Sequence, residues 1–412
     1  MWQGSVDRRE SRCHGTHYVF VDVLNIVSCF AVVCLHTSLG VFSLQHTFLW
    51  AFQELMQAMF IFAVPIFFMV SGMNLLDYRK KYSTKVFFKK RFVRVGRALI
   101  LGSIACYLLF GLLPGLFYGA QSIADGFGPV DFCKRFLTNS IIDIYWFLYS
   151  IIYLYLLTPL LSKIVHDRRL LEYAIALTLF CSILIPAAKA IGINEKYFSP
   201  LLSWPLFASS ALLYFLLGYY LENYGLPLHW NAPAWAATFL GSVTLMFLGG
   251  LCWNGFFQNS MGVEYQNYLV GISSPLCVIS AVSLFMLCKA LEPSLQRGSD
   301  RMKSIIRKVS SVSLGVYMFH LLLVNLTLGG PFERILTFGQ YHPFIKGHCG
   351  LSAYWHCRIC RQVVHLKGET SPTIEVSQRR TRVRRDDLGF FRLKCFSVSD
   401  RNSGMIYSIG NT

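Results

Sequence analysis

Two stretches far apart in the chain set polar and imidazole groups at helical intervals within apolar surroundings. The first, VDVLNIVSCFAVVCLHT, carries Asp22, Asn25, Cys29 and His36 at steps of three, four and seven, so all four share one helical face. At a rise of about 1.5 Å per residue, Asp22 and His36 lie roughly 21 Å apart along the axis, too far for the carboxylate to orient the imidazole. The stripe reads as one wall of a polar path. The second stretch, VSSVSLGVYMFHLLLV, carries Ser310, Ser313, Tyr317 and His320 at steps of three, four and three. Interhelical hydrogen bonding accounts for the serines. For the two histidines proton chemistry is an equal alternative, because an imidazole withdrawn from water favours its neutral form and can take a proton from a hydroxyl.

A third group is cationic. The run Lys89-Lys90-Arg91-Phe92-Val93-Arg94 could cradle the phosphates of a cytoplasmic donor, since Arg suits bidentate phosphate contacts. Its plainer reading is a topology signal in contact with lipid headgroups. Pro65 and Ser71-Gly72, in VPIFFMVSGMNLL, mark either a kink with close helix packing or backbone opened toward a ligand. No Walker-type loop, G-x-S-x-G elbow or H-E-x-x-H helix is present, which argues against a pump driven by ATP.

The elements that position these groups follow from composition. Of 412 residues, 54% are hydrophobic and only 14% charged, with a mean hydropathy of +0.47. Soluble domains carry about 25% charged residues, so the expected fold is an all-α, polytopic transmembrane bundle in a lipid bilayer. Apolar stretches lie near 18–42, 50–76, 95–118, 142–165, 170–191, 201–221, 231–252, 267–290 and 309–329. The 13 cysteines fall mostly singly within them and read as small hydrophobes. The net charge of +17 collects in alternate loops, notably Arg79 to Arg97, Lys163 to Arg169 and Arg297 to Lys308. Basic loops face the cytoplasm, so the N-terminus is expected inside, and the charge does not imply nucleic acid. Residues 1–17 form a polar cytoplasmic segment without the apolar core of a signal peptide. Residues 18–344 form the membrane domain.

Residues 345–412 break the pattern. They lose apolar runs and gain Arg379, Arg380, Arg382, Arg384 and Arg385, which nine spans would leave outside. The expectation is an aberrant or frameshifted C-terminus in place of a tenth helix, the alternative being a genuine disordered basic tail. Cys349, Cys357, Cys360 and His365 lack the paired spacing of a zinc site, so no metal is expected.

Taken in order, VDVLNIVSCFAVVCLHT, VPIFFMVSG, KKRFVRVGRAL, IYWFLYSIIYLYLLTPLL and SLGVYMFH resemble the acyltransferase-3 family of bacterial membrane O-acyltransferases, across residues 18–340. The resemblance implies transfer of an acyl group, usually acetyl, from cytoplasmic acyl-CoA to a hydroxyl of an extracytoplasmic glycan or lipid-linked sugar at a bacterial plasma membrane. It places His36 at the family's essential histidine, with Asp22, Asn25, Tyr317 and His320 as further catalytic candidates on the two stripes. It places Arg91 and Arg94 at the family's cytoplasmic basic motif, where coenzyme A would be held, and Lys90 and Ser71 are further candidates for binding that cofactor. The chain departs from the family where Asn25 replaces the Arg or Lys often found eleven residues before the histidine, and in lacking a recognisable last helix. The rival readings are a transporter or flippase using the same polar seam, and a non-catalytic partner of a glycan assembly system.

Overall fold

The computed structural model describes residues 18–117, 120–193, 209–228, 230–257 and 264–329, with side chains described as far as Val324. The described residues form helices and no strands. Seven segments are long and apolar enough to cross a membrane: Val19–Thr37, Phe48–Lys80, Thr84–Leu112, Asp143–Ile164, Arg168–Ala190, Ala232–Trp253 and Tyr268–Gln296. An eighth is the pair Asp300–Ser311 and Ser313–Val324, bent by 53°. Helix α10 (Ser210–Asn223) falls within the remaining apolar stretch, part of which lies outside the described residues. The polytopic all-α expectation holds. The expected tenth helix, the basic tail and its Cys/His group lie outside the described residues.

Three boundaries differ from the sequence reading, each for a local reason. Helix α1 (Val19–Thr37) stops short of residue 42, where a 3-10 turn, Leu39–Phe42, follows it. The third span begins as α4 at Thr84, so the basic run is itself helical (Thr84–Leu112). Lys and Arg are good helix formers, whereas hydropathy registers only the apolar part. The last span is not one helix. It breaks at Val312 into α13 (Asp300–Ser311) and α14 (Ser313–Gly329), leaving Ser310 and Ser313 on separate helices. In the fifth span, α8 (Arg168–Leu179) passes through a π-helical turn, Phe180–Leu184, into α9 (Ile185–Ala190). Pro186 accounts for that turn, since its nitrogen has no proton to donate back along the helix.

Helix ends interlock on two opposite faces. On the basic face, Glu292 of α12 (Pro275–Gln296) accepts the N–H groups of Val19 and Phe20 at 3.0 and 2.7 Å, closing the start of α1. Arg79 donates to Ser162 Oγ at the end of α7 (Trp146–Ile164) at 2.9 Å. Tyr219 of α10 donates to Asp77 at 3.1 Å. On the opposite face, Gln57 of α2 (Phe48–Phe60) donates to Leu35 O and Ser38 Oγ at 3.0 and 2.9 Å, closing the end of α1. The bonds from Glu292 and Gln57 to the backbone of Val19, Phe20 and Leu35 satisfy groups that hydrocarbon leaves without water.

Helix α3 (Ala63–Leu75) meets α10 through two reciprocal glycines. A Cβ on Gly72 would stand 1.7 Å from Phe215 O, and one on Gly218 would stand 1.9 Å from Met69 O. Close backbone approach is therefore what Gly72 provides, while its neighbour Ser71 faces a cavity. Lipid supplies no hydrophobic drive between helices, so such contact carries the packing. Gly72→Ala and Gly218→Ala should each lower the midpoint of thermal unfolding in detergent, by an overpacking cost of about 1–3 kcal/mol or more. Gly241→Ala, where an added Cβ meets nothing within 4 Å, should leave it unchanged.

Candidate active site

The two stripes face one another along the length of α1. Asn25 Nδ2 donates to Ser310 Oγ at 3.4 Å, and Cys29 Sγ donates to Ser313 O at 3.6 Å. Higher up, His320 Nε2 stands 3.3 Å from His36 Nδ1, with ring centroids 4.9 Å apart. Residues 284 or more positions apart thus form a single seam, which helical spacing on either stretch alone could not establish.

At the basic end the seam opens into a cavity of about 340 Å³. Its polar wall includes Asn25, Ser71, Asn74 and Ser310, with Arg91 and Arg94 one turn apart on α4. Arg91 is half-buried, and its Nε has no hydrogen-bond partner among the described residues. No ion pair to either arginine occurs among them. Buried donors are normally satisfied, so two cations lining a cavity without a carboxylate partner suit an anionic ligand, with phosphate the closest chemical fit. The far end of the cavity is aromatic, formed by Phe67, Phe147 and Tyr317.

Tyr317 lines the cavity and also neighbours the histidine pair. Its hydroxyl donates to Ile144 O, which commits that proton, and its ring lies 5.8 Å from that of His320. The bonding of the two imidazoles assigns their tautomers. His36 Nδ1 lies 2.8 Å from Val32 O, and His320 Nδ1 lies 2.7 Å from Tyr317 O. A carbonyl only accepts, so both Nδ1 atoms carry the proton. His320 Nε2 is then a lone pair facing His36 Nδ1–H, and a proton on it would set donor against donor. His36 Nε2 is left as the basic nitrogen. His36 is half-buried and His320 is buried, so the reachable base belongs to α1.

Of the residues singled out by sequence, Asn25, Ser71, Arg91, Arg94 and Tyr317 meet at the cavity, and His36 pairs with His320 beyond it. Two do not join them. Lys90 is exposed, its ammonium 4.9 Å above the ring of Tyr82. Asp22 is buried near the start of α1, outside the cavity wall. Phe67, Asn74 and Phe147 were missed, because aromatic and amide side chains are too common along these spans to stand out. Glu54 was also missed; it is fully buried in α2, accepts from Tyr265 at 2.6 Å, and stands apart from the cavity. Among the described residues no His, Cys, Asp or Glu group could hold a metal ion.

Fold and site together define a class: a polytopic helical membrane protein whose anion-suited cavity abuts a pair of hydrogen-bonded imidazoles. The acyltransferase-3 model, described as an acyltransferase domain, matches residues 18–334, and the chain belongs to that family. It is a multi-pass membrane acyltransferase. No curated protein and no solved structure matches it.

The hydroxyl of Tyr317 is a structural bond in this arrangement. Tyr317→Phe should leave Ile144 O buried without a donor and cost about 1–3 kcal/mol, read as a lowered unfolding midpoint.

Proposed function

We propose that the protein transfers an acetyl group from acetyl-CoA, or a related acyl group from another acyl-CoA, to a hydroxyl of an extracytoplasmic glycan or lipid-linked sugar. Its setting is the bacterial cytoplasmic membrane with the N-terminus inside. The observation that carries this reading is the continuity from Arg91 and Arg94, through the cavity and Tyr317, to the His320–His36 pair. In this reading the donor's phosphates meet the two guanidinium groups, and Ser71, Asn74 and Ser310 offer further polar contacts along the cavity wall.

No covalent enzyme intermediate is needed. The acceptor hydroxyl gives its proton to His36 Nε2 as its oxygen attacks the thioester carbonyl. The new C–O bond forms, the C–S bond breaks, and the proton passes from His36 to the departing sulfur. While His36 holds that proton it is an imidazolium whose Nδ1–H faces two acceptors, Val32 O and His320 Nε2. His320 is thereby a positioning residue: it holds the ring of His36 and stabilises its charged form without touching the substrate. Asn25 ties α1 to α13 at the cavity, keeping the base at a constant height above the donor. The seam's low polarity strengthens these interactions and excludes water from the thioester.

The test is turnover of acetyl-CoA by the purified protein with a glycan acceptor, following released thiol and acetylated product. His36→Ala should lower kcat by about 10²–10⁴-fold, the usual worth of a general base. His320→Ala should lower kcat with little change in donor KM, and His320→Gln, whose amide oxygen can accept from His36 Nδ1–H, should recover part of the loss. Arg91→Ala and Arg94→Ala should instead raise donor KM, by about tenfold or more for a charged hydrogen bond of about 1.5–3 kcal/mol. Movement of a glycan precursor across vesicles without acylation would replace this reading with a transporter.

A further inference from the structure

We infer that Phe67 and Phe147, lining the deep end of the cavity against Tyr317, form an acyl subsite that admits a short acyl group, acetyl before longer chains. The inference rests on the proposed function and adds the selection of the donor. Each helix along the cavity changes character in the same direction. On α3 the wall runs from Asn74 and Ser71 to Phe67, on α7 from Tyr155 to Phe147, and across α13 and α14 from Ser310 to Tyr317. Arg91 and Arg94 mark the polar end, so a thioester anchored by its phosphates points its acyl carbon at the aromatic end.

That end is walled by three aromatic rings in contact. The ring centroids of Phe67 and Phe147 are 5.8 Å apart, those of Phe147 and Tyr317 5.1 Å, and those of Phe67 and Tyr317 6.3 Å. Separations of about 4.5–7 Å are those of rings packed together, so the three present one continuous surface to a polymethylene chain. This surface is backed from behind: Phe147 also packs on Phe68 at 5.0 Å, and the Tyr317 hydroxyl is held by Ile144 O. The histidine pair adjoins Tyr317. An acyl group must therefore lie flat against this cluster to bring its carbonyl near the base, and each added methylene pushes on rings that are themselves supported. Pockets of this kind discriminate by about 10–200-fold per methylene.

The experiment compares kcat/KM for acetyl-, butyryl- and octanoyl-CoA in the full chain and in Phe67→Ala, Phe147→Ala and Phe110→Ala. Phe110 is buried on α4 outside the cavity wall and serves as a packing control. The wild type should favour acetyl over butyryl by about tenfold or more, and Phe67→Ala and Phe147→Ala should each cut that ratio by about tenfold. Phe110→Ala should keep the ratio. A ratio between donors does not depend on how much enzyme is folded, and Phe67, only partly buried, carries the test even where Phe147→Ala is not recovered. Equal use of octanoyl and acetyl donors by the wild type, or an unchanged ratio in both cavity variants, overturns this inference while leaving acyl transfer standing. No transfer from any thioester overturns both.

Discussion

A helix that ends inside or at the edge of hydrocarbon has backbone groups with no water to bind, and the way α1 solves this governs the rest of the site. The carboxylate of Glu292 receives the first two N–H groups of α1, and the amide of Gln57 reaches the carbonyl of Leu35 and the hydroxyl of Ser38 at its other end. The first bond joins a negative group to the positive end of a helix dipole as well as satisfying donors. Both ends of α1 are thus tied to other helices, which opposes sliding or turning. Asn25, Cys29 and His36 therefore meet Ser310, Ser313 and His320 at set heights.

The bend at Val312 is the second constraint. A straight helix through residues 300–324 would carry Ser310 and His320 along one line. The 53° turn instead falls between the contacts of Ser310 and His320 with α1, and residues on both sides of it, Ser310 and Tyr317 among them, line the cavity. The chemistry available differs at the two ends of the seam. At one end, two guanidinium groups without carboxylate partners among the described residues hold positive charge that an anion would neutralise. At the other, two imidazoles share one N–H, and no carboxylate among the described contacts of His36 competes for the proton that it would accept. In the proposed reaction this separation keeps the phosphate-binding charge away from the base, so that neither disturbs the protonation of the other.

Much of the fold was legible because lipid enforces a simple rule: spans must be long, apolar and helical, and Lys and Arg collect between them. Asn25, Ser71, Arg91 and Arg94 could be picked out for the same reason, since a polar group within or beside a span is conspicuous. Boundaries were less legible. The start of α4 was hidden because a basic helical turn and a basic loop have the same hydropathy, and the break at Val312 was hidden because neither Pro nor Gly occupies residues 310–314. Phe67 and Phe147 could not be singled out at all, since an aromatic residue lining a cavity and one facing a neighbouring helix are the same in sequence.

By itself, the sequence determined that this chain crosses a membrane several times, that two of its helices carry imidazole on a polar face, and that a basic run adjoins the second span. Periodicity within a helix is local and survives in the one-dimensional string. Only the tertiary structure decided that the imidazoles belong to one pair, with His36 the more accessible of the two, and that Arg91 and Arg94 share a cavity that Tyr317 also lines. Those facts depend on the rotation and height of helices hundreds of residues apart, which are settled by end-to-end hydrogen bonds and glycine contacts that no single segment contains.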